Sequence, residues 1–451
     1  MSWKWLAVMV GAFILLPTWS KVGLAVAMES SSSAEFRPVE EGEGYGELFQ
    51  EETGTAGEIF GSRGGYVHPF LSLGGYVTTN LFRTEDNEES DNVLVASPGI
   101  WFALPASRQQ LLKVETLNTA PGGLEVSRFR PEAIRRFQGY ALYRGEFTQH
   151  DRFAEADTDD HRAEGLLQYN FRGGLSLELA DIFENNHDPY STGDAGAREL
   201  NTFQSNLLNP SISYRISPKT RLQLDYTWYV LDYDQARRDF RDREDNAISG
   251  YVFYRFGART SAFLDYEYIT IDYDLQTRPD SDEQRFYGGI QWRATEKSRG
   301  RIKLGYGKRD YDGISDTQNF FSAEAQLIHR FTRKTMVYLV ASRRAEASDV
   351  QGARDVLTER LRAGYVQNLT AKVTGKVTGY FYRENYDGDI TIGSQTDERE
   401  DKTYGGEIAL GWSPTRWFNA SAGYQYTERD SNFDIRDYQD HTVFLTLTAA
   451  L

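Results

Sequence analysis

Residues Ser261–Asp274 read SAFLDYEYITIDYD, and the alternation within them decides the fold class. Ala262, Leu264, Tyr266 and Tyr268 fall on one face of an extended chain, while Asp265 and Glu267 fall on the other. A period of two marks a β-strand with unlike faces. Slipping that strand by one residue would exchange the faces, so its register is strongly specified. Arg221–Asp232 repeats the pattern, with Leu222, Leu224, Tyr226, Trp228 and Val230 against Arg221, Gln223, Asp225 and Thr227. So do Ile302, Leu304 and Tyr306 against Arg301, Lys303 and Gly305, and Val373, Val377 and Phe381 against Lys372, Thr374 and Lys376. The C-terminal run sets Val443, Leu445, Leu447 and Leu451 against Thr442, Thr446 and Thr448.

The strands come as hairpins. YTWYVLDYD ends at Asp234, YEYITIDYD at Asp274 and GYGKRDYD at Asp312, a spacing near 40 residues that holds two strands each time. A propeller blade would need four short strands in that span, so the repeat is an up-and-down meander. Tight turns fall at 171–174, 217–219, 256–258, 296–298, 331–334, 369–371 and 413–415, with Pro105-Ala106-Ser107 as the first. Longer acidic stretches, among them those at 85–91, 151–160, 187–198, 235–245, 277–283, 387–400 and 430–437, alternate with them. Eight short and nine long connections give 18 strands between Val67 and Leu451, with both termini at the short-turn end.

The apolar face is unlike the core of a soluble sandwich. It carries Tyr, Trp, Gly and Ala, as in Gly406, Ile408, Leu410 and Trp412, or Phe418, Ala420, Ala422, Tyr424 and Tyr426. Aromatic residues near strand ends with small and aliphatic residues between them fit a lipid band flanked by girdles. In hydrocarbon an open edge would leave backbone groups unpaired, so such a sheet must close. The expected fold is all-β: a closed up-and-down antiparallel transmembrane barrel of about 18 strands, with short periplasmic turns and long acidic extracellular loops. Its expected place is the cell outer membrane of a Gram-negative bacterium, with outer-membrane lipid as its surroundings.

The chain's 451 residues divide accordingly. Lys4, an apolar run from Trp5 to Leu16 and Ala25-Val26-Ala27 read as a secretory signal over 1–27, the alternative being an N-terminal membrane anchor with Lys21 as its stop. Residues 28–65 are acidic, low in complexity and expected to be flexible; 66–451 form the barrel. The charge balance of 50 Lys plus Arg against 66 Asp plus Glu, or −16, excludes a nucleic-acid footprint. With no Cys there are no disulfides, thiolate metal sites or thiol nucleophiles.

About 16 to 18 strands leave an aqueous channel where eight would be filled by side chains. Alternation places Arg221, Tyr229, Tyr251, Arg255, Asp265, Glu267, Arg293, Arg301, Lys303, Glu324, Arg330, Arg362, Lys372, Lys376, Tyr380 and Glu407 on the channel wall. Nine of the thirteen charged positions among them are basic, which suits weak repeated contacts with a hydrated, anionic glycan. One passage breaks the turn alternation. Gln110–Leu117 and Phe137–Gln149 both read as strands, and Thr119–Arg136 between them is either an excursion or an extra crossing that raises the count to 20. Its Arg128, Arg130, Arg135 and Arg136 are candidates for a basic constriction folded into the lumen.

Hairpins of the form R-x-x-L-x-L-x-Y-x-x-x-x-x-D-Y-D joined by Ser-Pro turns resemble the putative beta-barrel porin 2 family. The residues that carry the resemblance are Ser217–Leu224 through Asp232-Tyr233-Asp234, and again Arg259–Asp274, Arg301–Asp312 and Ser413–Ser431. The resemblance implies an outer-membrane pore for a secreted exopolysaccharide, with the polysaccharide and periplasmic export components as partners. Thr119–Arg136 and the terminal Leu451 depart from the family's pattern. Other readings are a general or small-solute porin, a barrel with a closed lumen and a structural role, and an outer-membrane lipid hydrolase using His329.

Motifs for enzymatic or cofactor chemistry are missing. None of the six His residues makes an i, i+4 pair, and neither Gly-x-Ser-x-Gly nor Gly-x-x-x-x-Gly-Lys occurs, so no catalytic residue, cofactor or metal site is assigned. Asp157–Asp160 and Asp387-Gly388-Asp389 have oxygen-ligand spacings but read as solvated loop charge.

Overall fold

The computed structural model describes residues 65–107 and 136–450, apart from 194–197 and positions 276, 296, 316 and 416. Eighteen strands account for most of it. They are β1 (Gly65–Thr78), β2 (Asp91–Ser107), β3 (Phe137–His150), β4 (Thr158–Asn170), β5 (Leu175–Asp188), β6 (Asn201–Arg215), β7 (Thr220–Tyr233), β8 (Arg243–Arg255) and β9 (Thr260–Tyr273). The second half holds β10 (Ser281–Thr295), β11 (Ser298–Tyr311), β12 (Thr317–Arg330), β13 (Thr335–Ala347), β14 (Asp355–Asn368), β15 (Val373–Ile392), β16 (Gln395–Thr415), β17 (Phe418–Ser431) and β18 (Tyr438–Ala450). Each strand pairs antiparallel with its sequence neighbours, and β1 pairs with β18 from Phe70↔Ala450 to Thr78↔Thr442. That last seam leaves no edge.

The two faces of the wall are inverted relative to a soluble protein. On β9, Leu264 and Tyr266 are exposed while Asp265 and Glu267 are buried. Outward aromatic side chains form two rows. One, at the short-turn end, includes Tyr214, Tyr254, Phe256, Phe331, Trp412 and Trp417; the other includes Tyr226, Phe286, Tyr306, Phe321, Tyr404 and Tyr424. Tyr266↔Phe286↔Tyr306↔Phe321 are direct cross-strand partners from β9 to β12, so the second row runs unbroken there. Aromatic bodies with polar tips settle at a lipid–water boundary. Polar groups on this face are tied to one another: Asn206 Nδ2 donates to Asp181 Oδ1 at 3.1 Å, and Arg343, Glu359, Arg383, Glu400 and Lys402 form a chain of ion pairs above the Tyr404 row.

Three expectations change. Pro105-Ala106-Ser107 belongs to the end of β2, not to a turn, because β2 continues alongside β3, where Leu104 pairs with Gly139. β2 and β3 are direct neighbours and the described residues hold 18 strands, so the count of 18 stands; 108–135, with Gln110–Leu117, lies outside the described residues. The acidic stretch 387–400 is largely strand: β15 and β16 run past the other hairpins to a tight turn at 393–394, where Gly393 takes φ of 64°, and Thr391 pairs with Thr396. Ser413-Pro414-Thr415 likewise closes β16, where Thr415 pairs with Phe418 of β17.

A charge placed on the outward face should be costly in proportion to its depth. Leu264→Arg is expected to lower barrel stability by about 2–4 kcal/mol, as for a cation near the bilayer midplane, and Leu264→Val by far less. Denaturant titration of the protein folded in lipid vesicles measures the difference.

Candidate functional site

The inner wall is the place where alternation concentrates chemistry. Arg221, Tyr229, Tyr251, Arg255, Asp265, Glu267, Arg301, Lys303, Glu324, Arg330, Arg362, Lys376, Tyr380 and Glu407 all lie on the inward register of their strands. Lys372 does not. It occupies the exposed turn between β14 and β15, because β15 starts only at Val373. Arg293 lies in β10 with its side chain outside the described residues, as do Arg128, Arg130 and Arg135 entirely. Arg136 is exposed beside the start of β3 and donates from Nε to Tyr169 Oη at 2.8 Å; Tyr169 is on the outward register of β4, so this arginine faces away from the lumen.

The wall does not lean basic. Among the described residues, buried charged side chains comprise sixteen acids and twelve bases. They are arranged as ion pairs that the sequence spacing i, i+2 puts on one face of a strand: Arg243–Asp245 at 3.0 Å, Glu283–Arg285, Arg344–Glu346 and Arg399–Asp401 at 2.5 Å. Cross-strand bonds join them. Lys303 Nζ sits 3.2 Å from both Asp265 and Glu267, Arg309 Nη2 donates to Glu283 at 2.7 Å, and Arg309 Nη1 reaches Asp355. A charge taken out of water costs several kcal/mol unless partnered, so this sector from β7 to β14 holds only as a complete set.

At the long-loop end the chain folds back over its own mouth. Ser191 and Gly193, in the connection from β5 to β6, are buried, and their carbonyls accept hydrogen bonds from Arg429 Nη1 at 3.1 Å and Arg399 Nη1 at 2.6 Å. Both arginines are on the inward register of β17 and β16, so the loop crosses the barrel interior. Asp401 fixes the Arg399 guanidinium through two bonds, and Ser431 Oγ donates to Asp401 at 2.6 Å. Gly193 has φ of 60°, and a Cβ there would meet Asp349 at 2.6–2.7 Å; glycine permits both the backbone angle and the close approach. Two apolar knots anchor the loops. Leu81, Phe82, Phe153, Ala156 and Tyr190 form one, in which Phe82 meets Phe153 and Tyr190 edge-on at 5.0 Å. Val350, Ala353, Val356, Tyr386, Ile390 and Phe433 form the other. Burial, with help from Glu155 and Asp157, pushes the Tyr190 phenol up to about 12, so it remains a donor.

The crossing loop borders a chamber of about 150 Å³ against β1 to β5. Tyr76, Arg144, Glu146, Thr148, Arg162, Asn186 and Asp440 line it. Sequence reasoning did not find this site, since it gathers side chains from β1 to β5 and β18 with Pro189 and Tyr190 of the loop after β5. His329, by contrast, faces outward at the short-turn rim with its ring against Phe331 at 4.8 Å. Asp157 accepts from the His150 backbone N–H at 2.7 Å, and Asp160 pairs with His187 at 2.9 Å, so both acids serve to close loops.

A closed barrel with an apolar outer belt, a charged interior and an inward-folded loop defines a transmembrane channel protein of the outer membrane. The chain belongs to the family described as Putative beta-barrel porin 2, whose model matches residues 135–451. Solved structures of similar shape include a BenF-like porin from Pseudomonas fluorescens (8% identity, 85% of this chain and 99% of that one, TM-score 0.47) and Pseudomonas aeruginosa OpdK with vanillate (10% identity, 86% and 100%, TM-score 0.42). The alcaligin receptor FauA from Bordetella pertussis is a third (10% identity, 87% and 77%, TM-score 0.36). Among curated proteins none matches the sequence.

Removing both loop donors tests the crossing. Arg399→Ala combined with Arg429→Ala is expected to raise single-channel conductance in planar bilayers relative to the unaltered protein. A second expectation concerns pH. Burial pushes the Asp242 carboxyl up to about 7 from 3.8; Asp232, Asp239 and Asp274 add to this, while the Tyr233 N–H bond opposes it. With the folded value above the unfolded one, the 234–242 loop is most stable while Asp242 is protonated and loosens as pH rises through about 7. Protection factors of amides in that loop, corrected for the intrinsic exchange rate, should therefore fall from about pH 5 to pH 8, and Asp242→Asn should remove the fall.

Proposed function

We propose that this porin is the outer-membrane exit for a secreted exopolysaccharide. The observation that carries the reading is the chamber behind the crossing loop, where tyrosine, amide, hydroxyl and guanidinium groups converge. Sugar rings present hydroxyls and apolar faces, which these groups bind weakly and repeatedly, and a moving polymer needs contacts of that kind. A mouth crossed by its own loop also suits cargo that passes on demand, because a permanently open pore of this size would admit small solutes continuously.

The sector of dense ion pairs between β7 and β14 favours a second reading, a pore for small charged solutes. Paired charges there narrow the path and reward ions over bulky chains. The two readings separate in one strain. Deleting the encoding gene is expected to trap polymer in the periplasm and deplete it from the medium; secretion at the normal level rules the export reading out. In bilayers, the host's own polysaccharide is expected to interrupt the current of the purified protein, whereas an uninterrupted current supports the small-solute pore.

A further inference from the structure

Arg144 projects from β3 into the chamber without a counter-charge. Directly opposite it on β4 is Arg162, and directly opposite on β2 is Gly99, over which the Phe70 ring lies. Like charges facing one another across neighbouring strands repel. Arg162 is compensated: its Nη1 donates to Glu184 at 2.5 Å, and its Nη2 and Nε donate to Glu164 at 3.0 and 3.2 Å. Arg144 makes no hydrogen bond or ion pair with any described residue. Glu146, two residues along the same face, is engaged by Ser97 Oγ at 3.5 Å.

An unpaired guanidinium flanked by an aromatic ring and a second arginine is a poor resting state and a good receptor. Its planar fork matches both oxygens of a carboxylate, and each charge-assisted bond is about twice as strong as a neutral one. An arriving carboxylate gives Arg144 the counter-charge that Arg162 already has in Glu164 and Glu184. Around it, Tyr76, Thr148 and Asn186 offer the neutral donors and acceptors that sugar hydroxyls require. We propose that Arg144, backed by Arg162, is a carboxylate-binding subsite for acidic sugar units of the exported chain. The inference rests on the glycan reading and adds that the polymer is anionic; neutral sugar would leave Arg144 uncompensated.

The test uses the full chain in planar bilayers with trigalacturonate as the acidic probe, its monomer, and maltotriose as the neutral one. Expected is a current block by trigalacturonate that Arg144→Gln weakens about tenfold or more, with Arg144→Lys intermediate because it keeps the charge and loses the fork. Block by maltotriose should be equal in all three proteins, which also reports an intact barrel. A trigalacturonate block unchanged by Arg144→Gln overturns the subsite alone. Block by the galacturonate monomer as strong as by the trimer overturns the polymer assignment in favour of a small carboxylate. A wild-type channel that conducts ions and is blocked by neither oligosaccharide overturns the export reading beneath it.

Discussion

Every feature of this molecule depends on the pairing of backbone groups that have no water to turn to. In hydrocarbon an unpaired N–H or C=O costs several kcal/mol, so the sheet must end where it began. The β1–β18 seam meets that requirement, and it ties residues near 70 to residues near 450. Closure then dictates facing, since a closed wall has one side for lipid and one for everything polar. The outward rows of leucine, glycine and aromatic side chains and the inward rows of acids and arginines are two consequences of a single ring of hydrogen bonds.

The interior meets a second constraint, which is charge. Eighteen strands enclose more space than side chains of one sign could occupy without repulsion. From β7 to β14 the chain resolves this with pairs two residues apart on a strand, knitted across strands by Lys303 and Arg309. On the β1–β5 side the solution is incomplete: Arg162 has two carboxylates and Arg144 has none. The loop from β5 to β6 separates these two environments, so one barrel holds a structural sector and a receptive one.

How much of this was legible follows from which contacts are local. Alternation in Ser261–Asp274 and its repeats carries strand identity, facing, meander topology and the number 18, because period two needs only neighbours. Turn placement was legible within a few residues, and it failed at 105–107 and 387–400, where acidic or proline-bearing segments remain paired strand. The i, i+2 spacing of Arg399 with Asp401 and of Glu283 with Arg285 was present in the sequence and signals ion pairs on one wall. The chamber was not legible. It joins residues of β1, β3 and β4 to Asp440 of β18 and to Tyr190 of a loop whose hold on Arg399 and Arg429 spans more than two hundred residues, and no periodicity encodes these meetings. The arginines that hold a loop across the interior belong to the wall itself, in β16 and β17; Arg128, Arg130 and Arg135, expected as an inner constriction, lie outside the described residues.

The arginines grip that loop by its carbonyl oxygens rather than by its side chains. A grip on the main chain is indifferent to what the residues are, so long as the backbone can follow its path. Ser191 and Thr192 are nonetheless fixed a second time by their hydroxyls, which donate to the carbonyls of Phe82 at 2.9 Å and Pro189 at 2.7 Å, and Gly193 has no room for a Cβ. The loop is thus held through its main chain by the wall and through its hydroxyls by Phe82 and Pro189, a double lock that makes it a fixed part of the barrel's interior.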